Sequence, residues 1–370
     1  MNNDMNRMAY RNEYILVATT CLALLVTSSP AGSMKSPPAP VPKTGQTNSY
    51  AAGDDGDLQK GVAWPDPRFT VQENTNVAQD NLTGLMWTRD AKLFEMMDWT
   101  NAVKKCNSLN YGGYADWRLP NKRELLSLLD AGRGDPALPV GHPFINIQRE
   151  FYWSSTIHEF FEGYAANADM CFGALANISK TKPLNVWPVR GGQISMDKPV
   201  WVNNAGGSTN SPAAPVPKTG LVKSSLSGDD GACKAGIAWP KPRFTVGIET
   251  NVVTDNLTGL MWTLDANLFR DVNWDEAVKK CNSLNYGGYA DWRLPNRLEL
   301  LSLIDDSQSA PALPADHPFQ NIRAGKHYWS STSHPLLEDF AINVDIFNAV
   351  TSANINKNTA QKVWPVRGGE

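Results

Sequence analysis

The chain has 370 residues, enough for two domains or one large one, with 34 basic against 37 acidic side chains and a formal net charge of −3. That balance is too neutral for a nucleic-acid-binding polycation, and 42% hydrophobic residues argue against wholesale disorder. Five cysteines are too few for a disulfide scaffold of this size, whereas thirteen tryptophans are unusually many.

The first predicted element is an apolar run at 15–26, with Arg7 and Arg11 before it and Ser28, Ser29, Pro30, Ala31 and Gly32 after it. The run is shorter than the roughly 20 residues of a spanning helix. A basic flank, an apolar centre and a small-residue exit are the marks of a secretory signal peptide, assigned to 1–31, with Cys21 part of its apolar core. No later segment is apolar enough to span a membrane. The expectation is an exported chain: periplasmic, cell-surface or secreted, with no integral span once the signal is removed.

A Pro/Ser/Gly-rich leader follows at 32–60, and then a module at 61–192. Within it, 77–80 and 85–88 flank the turn Asn81-Leu-Thr-Gly84 and predict a hairpin. Asp98 is placed to cap a helix with Ala102, Val103, Cys106 and Leu109 on one face, ended by Tyr111-Gly-Gly113. Asn121, with Glu124 three residues on, predicts a capping box and a second helix carrying Leu125, Leu126, Leu128 and Leu129. The aromatic and β-branched runs from 151 to 190 predict an antiparallel strand meander. Two helices followed by such strands make an α+β module.

The module is written twice. AVKKCNSLNYGGYADWRLPN at 102–121 returns letter for letter at 277–296, DNLTGLMWT at 80–88 at 255–263, YWSST at 152–156 at 328–332, and VWPVRGG at 186–192 at 363–369. A repeat of this length means two domains rather than a solenoid. The second copy is assigned to 236–370, with Asn273 and Glu276 as its first helix start. Residues 193–235, rich in Gly, Ser, Asn and Pro, read as a flexible linker. Twelve of the thirteen tryptophans are the same six positions counted twice, as core fillers would be, with some left to line a groove.

These motifs resemble the Lcl C-terminal domain family, catalogued as a domain of unknown function; GDDGDLQKGVAWPDPRF at 53–69 is similar to a leader found on one branch of it. The resemblance runs from about residue 40 to the end, twice. It implies a C-type-lectin-like α+β fold, bacterial export and, from the namesake adhesin, binding of sulfated polysaccharide and host surfaces. Relatives that carry a cysteine in the last strand could bridge it to the helix cysteine; here that position is Pro188 and Pro365, so Cys106 and Cys281 lack the partner.

Four cysteines follow the signal. Cys106 and Cys281 are equivalent and read as small core residues, while Cys171 and Cys233 face Phe347 and Leu58 in the other copy, with a bridge between them as a lesser option. Ser155 with His158 suggests a nucleophile and base, but no Gly-x-Ser-x-Gly elbow exists. Strand alternation puts Asn167 and Asp169 on one face, and likewise Asn343 and Asp345. C-type lectins hold calcium with such oxygens, so calcium is an option. The Glu-Pro-Asn and Trp-Asn-Asp triplets of those lectins are missing, which favours a buried polar pair. Asn167, Asp169, His158, Asn343, Asp345 and His334 are the candidate ligand-binding residues. No catalytic residue and no metal ligand is assigned. Asp116, Trp117 and Arg118, repeated as Asp291, Trp292 and Arg293, read as a structural motif in which Asp116 could brace Arg118, rather than as a ligand clamp with Arg190 and Arg367. Asp54-Asp55-Gly56-Asp57 offers a calcium loop, weakened by Ala232 in the second copy.

The functional expectation is an exported, non-enzymatic binding protein whose tandem lectin-like modules recognise a carbohydrate or protein surface, in adhesion or in the envelope. Two weak sites on a flexible linker would gain avidity. The alternatives are a catalyst like the formylglycine-generating enzymes, which would need a reactive cysteine pair, and a structural envelope component.

Overall fold

In a computed structural model, residues 36–73, 76–192, 212–247, 251–323 and 327–369 are described, the side chains of 353 and 354 apart. The expected signal peptide and the first half of the expected linker lie outside them. The described chain mixes helices and strands in four antiparallel sheets, two to each of two similar halves.

The first half runs α1 (Asp55–Leu58), β1 (Phe69–Gln72), β2 (Val77–Asp80), β3 (Met86–Thr88), α2 (Trp99–Asn107), α3 (Lys122–Leu128), β4 (Phe151–Ile157), β5 (Tyr164–Asp169), β6 (Leu175–Ser179) and β7 (Val189–Arg190). The second repeats it as α4 (Asp230–Cys233), β8 (Phe244–Val246), β9 (Val252–Asp255), β10 (Met261–Thr263), α5 (Trp274–Asn282), α6 (Arg297–Ser302), β11 (Tyr328–Ser333), β12 (Phe340–Asp345), β13 (Val350–Asn356) and β14 (Val366–Arg367). The expected helices are α2 and α3; the four-residue α1 and α4 are additional.

Local chemistry explains the element starts. Asp80 closes the expected hairpin turn by accepting from Leu82 N–H at 3.0 Å and Thr83 hydroxyl at 2.9 Å, and Gly84 takes the positive φ the turn needs. At α3, Asn121 accepts from Glu124 N–H while Glu124 accepts from Asn121 N–H, the full capping box; α6 repeats it. At α5 Asn273 caps the Glu276 N–H. Helix α2 stops at Asn107, four residues before its expected end. Gly112 and Gly113, at φ of 60° and 82°, make a separate tight turn in which Tyr111 and Tyr114 exchange backbone bonds of 2.9 and 3.1 Å. Leu109 therefore leaves the helix face and packs near Trp117.

The expected meander is shorter than 151–190. Strands β4, β5 and β6 form it, but β7 crosses to the edge of the other sheet, whose order is β1-β2-β3-β7, with Val189 opposite Trp87. Trp187 explains the crossing. Its ring meets Trp87, Phe144 and Tyr152 at centroid distances of 5.5, 4.9 and 5.7 Å, and so pins the chain between the two sheets. Ten of the twelve repeated tryptophans are buried as core fillers, while Trp64 and Trp239 are half-buried.

The second half of the expected linker is not a spacer. Residues 212–235 pack on the first copy: Leu221 is buried with Trp99, Val103, Cys106 and Trp153, and Asn107 Nδ2 donates to Ser227 O at 3.2 Å. The leader of the first copy packs on the second in the same way, with Tyr50 and Ala51 against the Trp274–Trp329 cluster and Asn282 Nδ2 on Ala52 O at 3.1 Å. Each leader thus crosses to the opposite copy. Composition hid this, because a few apolar residues among prolines and serines suffice once a partner face exists.

The copies also share one core. Leu125, Leu126 and Trp187 belong to the same buried cluster as Leu300, Leu301 and Trp364. Across this seam Lys122 Nζ meets the Asp306 carboxylate and Ala349 O, Arg297 Nη1 donates to Gly173 O at 3.0 Å, and Leu175 N–H donates to Thr351 Oγ1 at 2.8 Å. The described residues form one compact unit.

Candidate functional site

The Asp-Trp-Arg motif builds two ion pairs, not one. Arg118 is buried and binds Glu124 bidentately at 2.6 and 2.5 Å, with a further bond of 2.8 Å to Gly191 O. Contrary to the sequence expectation, Asp116 does not brace Arg118. It takes Arg190 from β7 at 2.6 and 3.0 Å, and that guanidinium lies 3.8 Å from the centroid of Tyr114. Burial of the guanidinium does not choose the partner, since the Arg118 and Arg190 side chains are both 6% exposed; Glu124, fixed and buried in its capping box, takes Arg118 and leaves Asp116 to Arg190. Asp116 sits at the rim. The second copy repeats both pairs, Arg293 with Glu299 and Arg367 with Asp291. Trp117 donates to Tyr111 O and Trp292 to Tyr286 O, each at 3.0 Å.

Of the candidate ligand-binding residues, the aspartates and histidines are committed to turns, while the asparagines are buried on strands. Asp169 Oδ1 accepts from Cys171 N–H at 2.8 Å; Asp345 Oδ1 accepts from Phe347 N–H at 2.8 Å, and its Oδ2 accepts from Asn348 Nδ2 at 2.6 Å. Asn167 is buried on β5 opposite Trp153, and Asn343 Oδ1 meets His327 Nδ1 at 3.0 Å. His158 Nδ1 accepts from Phe160 and Phe161 N–H at 3.2 Å, and His334 Nδ1 from Leu336 and Leu337 N–H at 3.1 Å. Burial lowers the pKa of both histidines, as an accepting ring nitrogen requires. With Nδ1 occupied this way, His158 is poorly placed to act as base for Ser155. Calcium wants six to eight oxygens around one point. The Asn-x-Asp pairs do not gather them, because the asparagine is sunk beneath the strand and the aspartate caps a turn. Among the described residues no group of three or more His, Cys, Asp or Glu is placed to hold a metal.

The acidic run at 54–57 also departs from a calcium loop. Asp54 caps α1 and accepts from Tyr50 and Ala51 N–H, and Asp57 accepts from Gly53 N–H. Asp55 is buried, and its Oδ2 accepts from Thr44 of its own leader and from Thr332 of the opposite copy, both at 2.7 Å. Asp230 accepts likewise from Thr219 and Thr156 at 2.8 Å. Burial dominates both carboxyls, raising Asp55 to about 6 and Asp230 to about 7 against the lowering effect of the hydroxyl donors. Each is a latch between a leader and the opposite YWSST strand. Sequence reasoning missed this use; the signal was Thr44 and Thr219 at equivalent places before the repeated Gly-Asp-Asp-Gly.

The environment of each thiol disfavours its thiolate form. Cys106 and Cys281 are buried on their helices, and burial pushes both thiols far up; Cys171 is pushed up to about 11 and donates to Arg149 O, and Cys233 is raised as well. All four are free.

A polar cleft of about 640 Å³ lies beside the first leader. One wall is 43–48, the other the loop around Asp130 and Arg133, and Trp64 lines it between them. Trp64 Nε1 donates to Lys43 O at 2.9 Å, and Arg68 covers the ring at 4.3 Å from its centroid. The leader wall is held from the opposite copy, where Gln46 Nε2 donates to Ser333 O and Gln46 Oε1 accepts from Ser333 N–H, both at 2.9 Å. The volume suits a small ligand, for which clefts of about 300–1,000 Å³ are usual.

In comparison with known proteins, the model of the Lcl C-terminal domain matches residues 76–190 and 251–367. No curated protein matches the chain.

Proposed function

Since the chain belongs to the Lcl C-terminal domain family in both its halves, we propose that it is an exported, non-enzymatic binding protein. Its modules, of the C-type-lectin-like kind, recognise a carbohydrate or protein surface in an adhesion or envelope role. The observation that carries this reading is the polar cleft beside Trp64, an aromatic ring left half-buried where the other repeated tryptophans of its copy are buried. Export rests on the apolar run at 15–26 with its basic flank. The non-enzymatic part is supported by the four thiols, all raised by burial, which suit packing better than nucleophilic chemistry. The packed seam changes how the duplication is used. Two copies with crossed leaders form one body, so the gain expected from independent modules on a flexible linker does not enter.

The test is binding of the full chain to an array of immobilised glycans and extracellular-matrix proteins, with calcium or with a chelator. The reading predicts saturable binding to at least one class, unchanged by chelation. Failure to bind any surface would remove it.

A further inference from the structure

The cleft is not equally equipped in the two copies. Trp64, Arg68, Asp130, Thr44 and Gly45 recur as Trp239, Arg243, Asp305, Thr219 and Gly220, so the frame is duplicated. The hydrogen-bonding side chains are not. Gln46, Thr47, Asn48 and Gln59 become Leu221, Val222, Lys223 and Lys234, and Arg133 becomes Gln308. In the leader, one copy therefore keeps amides and a hydroxyl near the tryptophan while the other has apolar and cationic groups; on the facing loop the exchange runs the other way, from Arg133 to Gln308.

We propose that the Trp64 cleft is a single binding site for an uncharged hexose unit of a polysaccharide, its ring stacked on the indole. This deepens the carbohydrate reading above and rests on it. The indole is a fixed platform, because its N–H is tied to Lys43 O and Arg68 backs the ring. Sugar C–H faces stack on such a platform, while sugar hydroxyls each need a donor and an acceptor. Asn48 supplies both through its amide, Gln59 adds its carbonyl beside an Nε2 that already donates to Gly56 O at 3.3 Å, and Asp130 adds the carboxylate oxygen not taken by Gly132 N–H. Charge around the cleft is nearly matched: Lys43 and Arg133 are set against Asp66 and Asp130, and the third cation, Arg68, is paired with the buried Asp80. That balance favours a neutral sugar over a sulfated one. Most of the lining lies outside the stretch matched to the family, so the site belongs to the leader this chain carries. The second copy serves it from behind, by holding the leader wall at Gln46 and Asp55.

The experiment is affinity electrophoresis of the full chain in native gels containing dextran, mannan, galactan or heparin. The expected result is retardation by at least one neutral polysaccharide, weakened about tenfold or more in Trp64→Ala and kept in Trp239→Ala. Because Trp64→Ala could disturb the leader, the double variant Asn48→Ala with Gln59→Ala is run beside it and is also expected to lose retardation. Wild-type retardation left intact by both variants overturns the site, and equal loss in Trp239→Ala overturns its confinement to one copy. Retardation by heparin alone overturns the neutral class. No retardation in any gel removes the carbohydrate reading itself.

Discussion

Asp55 and Asp230 place a carboxyl between two threonine hydroxyls, out of water, where a leader meets the opposite copy. Their folded pKa values, about 6 and about 7, stand above the unfolded value of 3.8. The folded state thus holds protons the unfolded state has released, and their contribution is full below about pH 4 and lost as pH rises through 6 to 7. Thermal unfolding followed from pH 5 to pH 8.5 should show stability falling across this window, by on the order of 1 kcal/mol from Asp55 and 3 kcal/mol from Asp230. Asp55→Asn with Asp230→Asn should flatten the fall, since an amide oxygen still accepts from both threonines. The two arginine pairs give a second contrast. Glu124→Gln leaves a buried guanidinium without its charge partner and should cost about 3–5 kcal/mol in urea denaturation. Asp116→Asn acts on a carboxylate that is 61% exposed and should cost about 1 kcal/mol or less. At this scale sequence reading named the motif but not the partners. The partner of Arg118 is set by which carboxylate shares its burial, a fact of packing rather than of spacing.

Among the elements, those governed by near neighbours were legible and those governed by distant ones were not. Helix α3 could be placed because Asn121 and Glu124 cap it within one turn, and the hairpin because Asp80 and Gly84 close its turn locally. Asn121→Ala should therefore cost about 1–2 kcal/mol, measured by chemical denaturation. Strand β7 could not be foreseen as leaving the meander, because two residues carry no periodicity and the crossing depends on where Trp187 lands. The leaders were misread for a related reason. Small residues, proline and serine dominate 212–235, yet Leu221 joins the core of the first copy and Leu226 packs against it. Leu221→Ala should destabilise that copy by about 2–5 kcal/mol, and amide exchange should show protection falling in α2 (Trp99–Asn107), more than a hundred residues away in sequence.

At the scale of the whole molecule, duplication has produced one body rather than two beads. Crossed leaders, a shared core and the Lys122–Asp306 contact join the copies. The tryptophan count fits this: ten rings are buried, four of them in the core the copies share, and of the pair left half-buried only Trp64 has the leader amides beside it. The fold class was legible because the repeat and its caps are local, whereas the site was not, because its walls come from a leader held by the far copy. The central claim is that the copies hold each other without a covalent tie. A protease site placed between residues 193 and 211 of the full chain tests it most directly, with the cut protein passed through size-exclusion chromatography in native buffer. The account predicts that both fragments co-elute at the volume of the intact chain and separate only in denaturant. Two separate fragment peaks in native buffer would contradict it.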